Sequence, residues 1–150
     1  TDHIGTNAKM SEFAAAYGLV HLDDLDFIIE QNKKIHQDYL DEFSEFREIT
    51  FLDYPFPGKS NYQYVVANVA AGIRDRLIEY FHENKILLRR YFYPGCHHME
   101  PYSSSEIYKG IKLNNTEKIC SEVLIFPTGF QVSNKDIKKF SSLYSFLINN

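Results

Sequence analysis

The hydrophobic pattern changes period near Arg47, and that change constrains the fold more than any other feature of the chain. Ahead of it, Leu22, Leu25, Ile28, Ile29, Ile35, Tyr39, Leu40 and Phe43 recur at helical spacing. Asp24, Glu30, Lys33, Lys34, Gln37, Asp38 and Asp41 fill the positions between as a solvated face. About 24 residues at ~1.5 Å each make a helix of roughly 36 Å. That is long for a small body and suits an element that bridges two parts of a larger one. Past Arg47 the pattern turns strand-like. Ile49, Phe51 and Tyr54 lead into Pro55-Phe56-Pro57-Gly58, a turn signal. Tyr62-Gln63-Tyr64-Val65-Val66-Ala67-Asn68-Val69 is the best strand of the chain.

The remaining elements follow from the same periodicities. A helix is expected from Ile73 to about His82, then a strand over Ile86-Leu87-Leu88-Arg89-Arg90-Tyr91-Phe92, stopped by Pro94-Gly95. A loop runs through Tyr102 and the Ser103-Ser104-Ser105 tract. Asn114-Asn115-Thr116-Glu117 starts a helix through Ile119 and Cys120, and Val123-Leu124-Ile125-Phe126 is a short apolar strand ended by Pro127. Ser133-Asn134-Lys135-Asp136 has the capping-box pattern and opens a last helix through Ile137, Phe140, Leu143, Tyr144 and Leu147. At the other end, Asn7 could cap a helix through Met10, Phe13, Ala14, Tyr17 and Leu19. Gly18 interrupts it at a cost of ~1 kcal/mol against alanine, for which close packing on another backbone is the usual compensation. The fold class is α/β (α+β): a small, mostly antiparallel sheet covered by helices and preceded by two helices. Residues 1–45 read as a helical segment leading out of a preceding large domain, and residues 46–150 as a small C-terminal α+β domain.

Composition narrows the function classes. Of 150 residues, 44% are apolar and 24% charged, so neither disorder nor a fibrous class is indicated. Aromatic residues make up 15%, all Tyr and Phe, which predicts aromatic-rich strands and a surface that wants a partner. The net charge is −4 and no basic block exceeds two residues, which argues against nucleic acid. No apolar run approaches the ~20 residues of a membrane helix. The start Thr1-Asp2-His3-Ile4 is not a signal peptide. It reads as a mid-protein loop, so a piece of a longer protein is expected. Cys96 and Cys120 make no disulfide framework, and a reduced, cytoplasmic setting fits best.

Few residues could carry chemistry. No glycine-rich phosphate fingerprint, HExxH, GxSxG or CxxC pair occurs. Cys96-His97-His98 is the densest group of potential ligands. Neighbours on a strand point to opposite faces, and no second ligand group of matching spacing is visible, so no metal is expected. His97 then reads as a loop histidine bound to a carbonyl, or as one that positions a substrate. Asn7 and Lys9 flank a helix start, where anions are favoured; equally, Asn7 caps and Lys9 is solvated. Of Arg89 and Arg90, one should face the core, where it needs a carboxylate or a bound anion.

Taken together, several segments carry a resemblance. Gly5-Thr6-Asn7-Ala8-Lys9-Met10-Ser11-Glu12 followed by Ala14-Ala15-Ala16-Tyr17-Gly18-Leu19 resembles a stretch of the DegT/DnrJ/EryC1/StrS aminotransferases, Gly-x-Asn-x-Arg-Met-x-Glu. Lys9 stands where arginine is commoner in that family. Arg89-Arg90-Tyr91-Phe92-Tyr93-Pro94-Gly95-Cys96-His97 is similar to the family's Thr-Arg-x-Tyr-Phe-x-Pro-x-His, and Met99-Glu100-Pro101-Tyr102 continues it. Asn115-Thr116-Glu117-Lys118 to Phe126-Pro127 resembles a third family segment, and the long helix after Leu22 and the last helix also match. The resemblance implies the C-terminal region of a fold-type-I aminotransferase that works as a homodimer with pyridoxal phosphate. Glutamate would supply the amino group and a nucleotide-linked keto-sugar would receive it, the wording being most like members that aminate a dTDP-4-keto-6-deoxy sugar. The Schiff-base lysine would lie in the larger preceding domain, so no catalytic residue is assigned here and the chain alone is expected to be inactive. By the same resemblance Asn7 would reach the cofactor phosphate of the neighbouring subunit. Lys9 would lie near the substrate diphosphate, His97 would line the sugar pocket, and Arg89 is a further substrate-binding candidate. A non-enzymatic α+β binding module, and a sugar-dehydratase or regulatory relative of the family, are the alternatives.

Overall fold

The structure is a computed structural model that describes residues 8–54, 60–70 and 72–149. Among these, five α-helices, three strands and one short 3-10 turn follow in the order α1 (Glu12–Asp23), α2 (Leu25–Glu42), β1 (Ile49–Phe51), β2 (Val65–Val69), α3 (Arg74–Glu83), the turn Cys96–His98, α4 (Asn114–Glu122), β3 (Val123–Phe126) and α5 (Asn134–Asn149). The strands form one antiparallel sheet in the order β1-β2-β3. Ile49 pairs with Val69, Phe51 with Ala67, Ala67 with Leu124 and Val65 with Phe126. Cross-strand partners share a face, so this register gathers all seven side chains on one side of the sheet.

That face is closed by α2, α3 and α5. Ile35, Tyr39 and Phe43 come from the second half of α2 and its end, Leu77 and Phe81 from α3, and Ile137, Phe140 and Tyr144 from α5. Their spacing of three or four residues puts each set on one helix face. The centre is an aromatic cluster: Phe43 lies edge-on to Phe51 at 5.1 Å and to Phe126 at 5.7 Å, and Tyr39 meets Phe126 at 5.6 Å. Such pairs contribute about 0.5–1.5 kcal/mol each beyond the buried area. The strands hold only Phe51 and Phe126 of these rings, so the aromatic content expected of the strands sits mainly on helices. Two polar anchors fix α2: the Tyr39 hydroxyl donates to the Pro127 carbonyl at 2.8 Å, and Ser141 of α5 donates to Glu42 at 2.8 Å. The buried His36 ring lies 3.0 Å from the Leu52 carbonyl and edge-on to Tyr54.

Several local expectations are corrected. The long helix expected from Leu22 begins at Leu25 and covers 18 residues, and Leu22 itself belongs to α1. The first helix is capped by Ser11, whose hydroxyl accepts the Ala14 N–H, and it begins at Glu12, past Met10. Asn7, like the Pro55–Gly58 turn signal, lies outside the described residues. The helix runs through Gly18 without interruption. It ends at Asp23 instead, and Asp24 serves both as its C-cap, with the backbone N–H donating to the Leu22 carbonyl, and as the N-cap of α2. A Cβ added to Gly18 would meet nothing within 4 Å, so no neighbouring backbone compensates for it in this chain. The strand expected over Ile86–Phe92 shrinks to one bridge, Arg89 to Ile125. Ile86 and Leu88 do alternate inward. Beyond Arg90 the chain turns through Pro94, which has no N–H to donate, and Gly95 at φ 103°.

Candidate functional site

The bridge to Ile125 pins the backbone of Arg89 on both sides, at 3.1 and 2.9 Å. Leu88 takes the inward position and Arg89 the outward one; Arg90, which alternation would send inward, is exposed as well because the strand pairing stops at Arg89. Neither is the inward arginine expected of this pair. Arg89 reaches the Tyr91 hydroxyl at 3.4 Å and lines an open cleft of about 720 Å³ with Tyr64, Lys85, Thr128, Gln131 and Lys139. The Thr128 hydroxyl in that cleft is buried and has no hydrogen-bond partner among the described residues.

The buried arginine is Arg74, at 3% exposure on the first turn of α3. It donates to the Cys120 carbonyl, pairs with Asp75 at 2.9 Å and lies over the Tyr93 ring at 4.6 Å. Arg90 joins the same group, 3.5 Å from Asp75 and 5.3 Å from the Tyr93 centroid. Carboxylate, carbonyl and ring together satisfy a guanidinium that burial alone would penalise. These groups tie the segment after Arg89 to α3 and α4. Sequence reasoning missed Arg74 because two of its three partners, Tyr93 and Cys120, come from distant parts of the chain.

The segment then delivers His97. Gly95 has φ 103°, and a Cβ there would stand 2.9 Å from the His97 ring, so both the backbone and the space require glycine. His97 and His98 occupy a 3-10 turn, not a strand, and both rings swing to the same side, 4.0 Å apart. Nε2 of His97 lies 3.3 Å and Nε2 of His98 3.8 Å from Oε1 of Glu117 on α4. Glu117 also accepts the Leu113 N–H at 3.0 Å. That backbone donor, foremost, holds the Glu117 carboxyl below the usual carboxylate range; loss of hydration opposes it next, and the two histidines add to the lowering. The second ligand group not visible in the sequence is therefore supplied from twenty residues away. The Glu at a helix start was the only signal of it, and that signal also has a purely local meaning.

His97 further lines a small apolar pocket of about 420 Å³ with Cys96, Tyr102, Tyr108, Ile111 and Leu113. A ring nitrogen at the edge of an apolar, aromatic wall can orient a polar ligand whose body packs on the wall. Lys9 is exposed ahead of α1 and lines neither cavity. The three described candidates thus occupy three separate places, and the fold of this chain does not bring them together. Of the candidates toward phosphate groups, Asn7, read as the cofactor contact, lies outside the described residues, and Lys9, read as the substrate-diphosphate contact, offers a single point charge that fits a supporting contact and not a full phosphate cradle. Cys96 is exposed and Cys120 buried, and both are free thiols. No helix among the described residues is long and apolar enough to cross a membrane.

Known proteins share this sequence and shape. The model of the DegT/DnrJ/EryC1/StrS aminotransferase family matches residues 1–142. A dTDP-4-amino-4,6-dideoxy-D-glucose transaminase of Escherichia coli is 30% identical over 142 residues, covering 93% of this chain and 38% of that protein. Its namesake in Shigella dysenteriae is 28% identical over 134 residues, 87% of this chain and 36% of the relative. The crystal structure of DesI in the presence of its TDP-sugar product superposes with a TM-score of 0.84 at 34% identity, over 95% of this chain and 36% of DesI. The chain spans little more than a third of the length of each relative. By sequence and by fold, it belongs to the DegT/DnrJ/EryC1/StrS aminotransferase family.

Proposed function

We propose that the chain is the C-terminal part of a pyridoxal-phosphate-dependent aminotransferase that passes an amino group from glutamate to a nucleotide-linked keto-sugar. A dTDP-4-keto-6-deoxyhexose is the favoured acceptor, and surface-polysaccharide or deoxyaminosugar biosynthesis in the cytoplasm is the setting. The observation that carries this reading is the family match along residues 1–142 together with 30% identity to a transaminase of a dTDP-linked aminosugar. The cofactor, when bound, supplies the electron sink for the transfer. Residues 1–45 lead out of a preceding large domain that holds the cofactor lysine, and residues 46–150 form the small domain. His97 presents a ring nitrogen at the sugar pocket, Lys9 neutralises the substrate diphosphate, Asn7 donates to the cofactor phosphate of the partner subunit of a homodimer, and Arg89 adds a cation on the substrate side.

Expression of the protein with its upstream coding sequence tests this directly. Glutamate-dependent amination of a dTDP-4-keto-6-deoxy sugar is expected, whereas the 150-residue chain mixed with pyridoxal phosphate should give no turnover and no borohydride-trapped lysine adduct. Turnover by the chain alone, or an upstream region with no cofactor lysine, would sink the proposal. In the longer protein Asn7→Ala should weaken cofactor retention, and a lost charge-assisted hydrogen bond suggests about 1.5–3 kcal/mol. Lys9→Ala should raise the Michaelis constant for the nucleotide sugar and spare the cofactor. If both leave both quantities unchanged, these residues are outside the site.

A further inference from the structure

We propose that His97, His98 and Glu117 form a binding site for one divalent transition-metal ion of zinc's class. The three side chains offer two imidazole nitrogens and a carboxylate oxygen, all within 4.8 Å of one another. Zinc–nitrogen and zinc–oxygen bonds of ~2.0–2.2 Å put neighbouring ligand atoms of a tetrahedral ion about 3.3 Å apart. The observed separations from Oε1 of Glu117 to the two Nε2 atoms are 3.3 and 3.8 Å, and rotation of the half-exposed His98 ring can shorten the second. The first ligand is fixed in advance: the His97 side chain is only 8% exposed and its ring rests against Gly95. The carboxylate is fixed too, because the Leu113 N–H donates to Oε1 at 3.0 Å. His98 and Glu117 face solvent, leaving room for water as a further ligand. Two imidazoles with one carboxylate suit zinc, cobalt, nickel or copper, and not magnesium or calcium, which take oxygen ligands.

The two histidines belong to the turn after Gly95 and the carboxylate to α4, so an ion here clamps together segments twenty residues apart. While it is bound, the His97 nitrogen it occupies is closed to any other ligand. The site requires nothing of the aminotransferase reading, and its test reads metal binding alone.

The untagged 150-residue chain is titrated with Zn²⁺ by calorimetry and with Co²⁺ by visible absorption. One equivalent is expected to bind, with the d–d bands of a four- or five-coordinate cobalt ion. Glu117→Gln keeps an oxygen for the Leu113 N–H but loses the anionic ligand, and His98→Ala removes a half-exposed ring; circular dichroism checks that both stay folded. Each should weaken zinc by at least ~10-fold, while His82→Ala, an exposed histidine on α3, should leave affinity unchanged. Absence of a saturable site, zinc affinity unaltered in both ligand variants, or an equal loss in His82→Ala would overturn the proposal.

Discussion

Helices α1 and α5 obey the same local rules and end in opposite surroundings. Both start on a serine: Ser11 accepts the Ala14 N–H, and Ser133 exchanges hydrogen bonds with Asp136. Yet α5 buries Ile137, Phe140, Ser141 and Tyr144 in the core, while α1 buries nothing. Phe13, the worst case, is 84% exposed. The apolar residues of α5, Phe146 apart, lie on one face. Those of α1 lie all round it, with Phe13, Tyr17 and Val20 along one stripe and Leu19 and Leu22 across from them. A helix apolar on every side is one built to be enclosed. Local signals make a helix, but only the arrangement of its apolar residues tells how many bodies it touches, and α1 is arranged for more than this chain provides.

Core truncation gives the largest contrast between the two regions. Phe126 is 1% exposed and meets Tyr39, Phe43, Phe51 and Phe81. Phe126→Ala should cost about 3–5 kcal/mol of unfolding free energy, and Phe13→Ala no more than about 0.5 kcal/mol. Urea denaturation of the 150-residue chain measures both. Equal losses would mean that α1 is packed after all, and the contrast would collapse.

Alkali should act on the core side alone. The Tyr144 hydroxyl is pushed up from 10.0 to about 12, first by burial and then by the Glu48 carboxylate, and burial raises Tyr39 as well, with Asp136 adding to it. The folded core therefore keeps these phenols protonated where the unfolded chain ionises them. Their contribution is fully present below pH 10 and is lost as the pH rises toward 12. Allowing for screening by solvent, Tyr144 accounts for about 1–2 kcal/mol of that loss. Urea midpoints followed across this range check it; a flat profile would contradict the burial of the phenols.

A smaller effect comes from the same ring at neutral pH. The Tyr144 hydroxyl is buried without a partner among the described residues. Tyr144→Phe keeps the ring against Phe43 and Phe46 and removes the orphaned group. The change should stabilise the chain by ~1 kcal/mol and flatten the alkaline loss. Destabilisation would mean the hydroxyl has a partner that the folded chain supplies.

The two regions were also unequally legible in the sequence. Strand β3 and the start of α5 were readable because their signals are local and mutually consistent: an apolar run before Pro127, then a capping box and helical spacing. The segment after Ile86 was not, because its strand-like residues are overruled by Pro94 and by a glycine held at positive φ under His97. Within the site, His97 stood out as part of a dense ligand group, but Glu117 and Arg74 did not. Their roles depend on partners brought from distant segments, and no spacing in the sequence records that. Lys9 and Arg89 were singled out by a family resemblance, and the contacts of this chain neither join them nor give either a ligand.

The smallest expected effect tests the contrast most finely, because its sign depends on what surrounds α1. Gly18 lies within α1, and a Cβ built on it meets nothing within 4 Å. In this chain Gly18→Ala should therefore stabilise α1 by roughly 0.5–1 kcal/mol, the difference in helix propensity between the two residues. Since α1 shares no core with the sheet, the gain belongs to local opening, and slower amide exchange along Glu12–Asp23 is its proper measure. In a longer protein that encloses α1, the added methyl would press on whatever backbone lies against Gly18. Overpacking of that kind destabilises by about 1–3 kcal/mol. One methyl group should thus protect α1 in the 150-residue chain and loosen it in the longer one. Protection in both would leave α1 as an exposed arm and its all-round apolar surface without a structural cause.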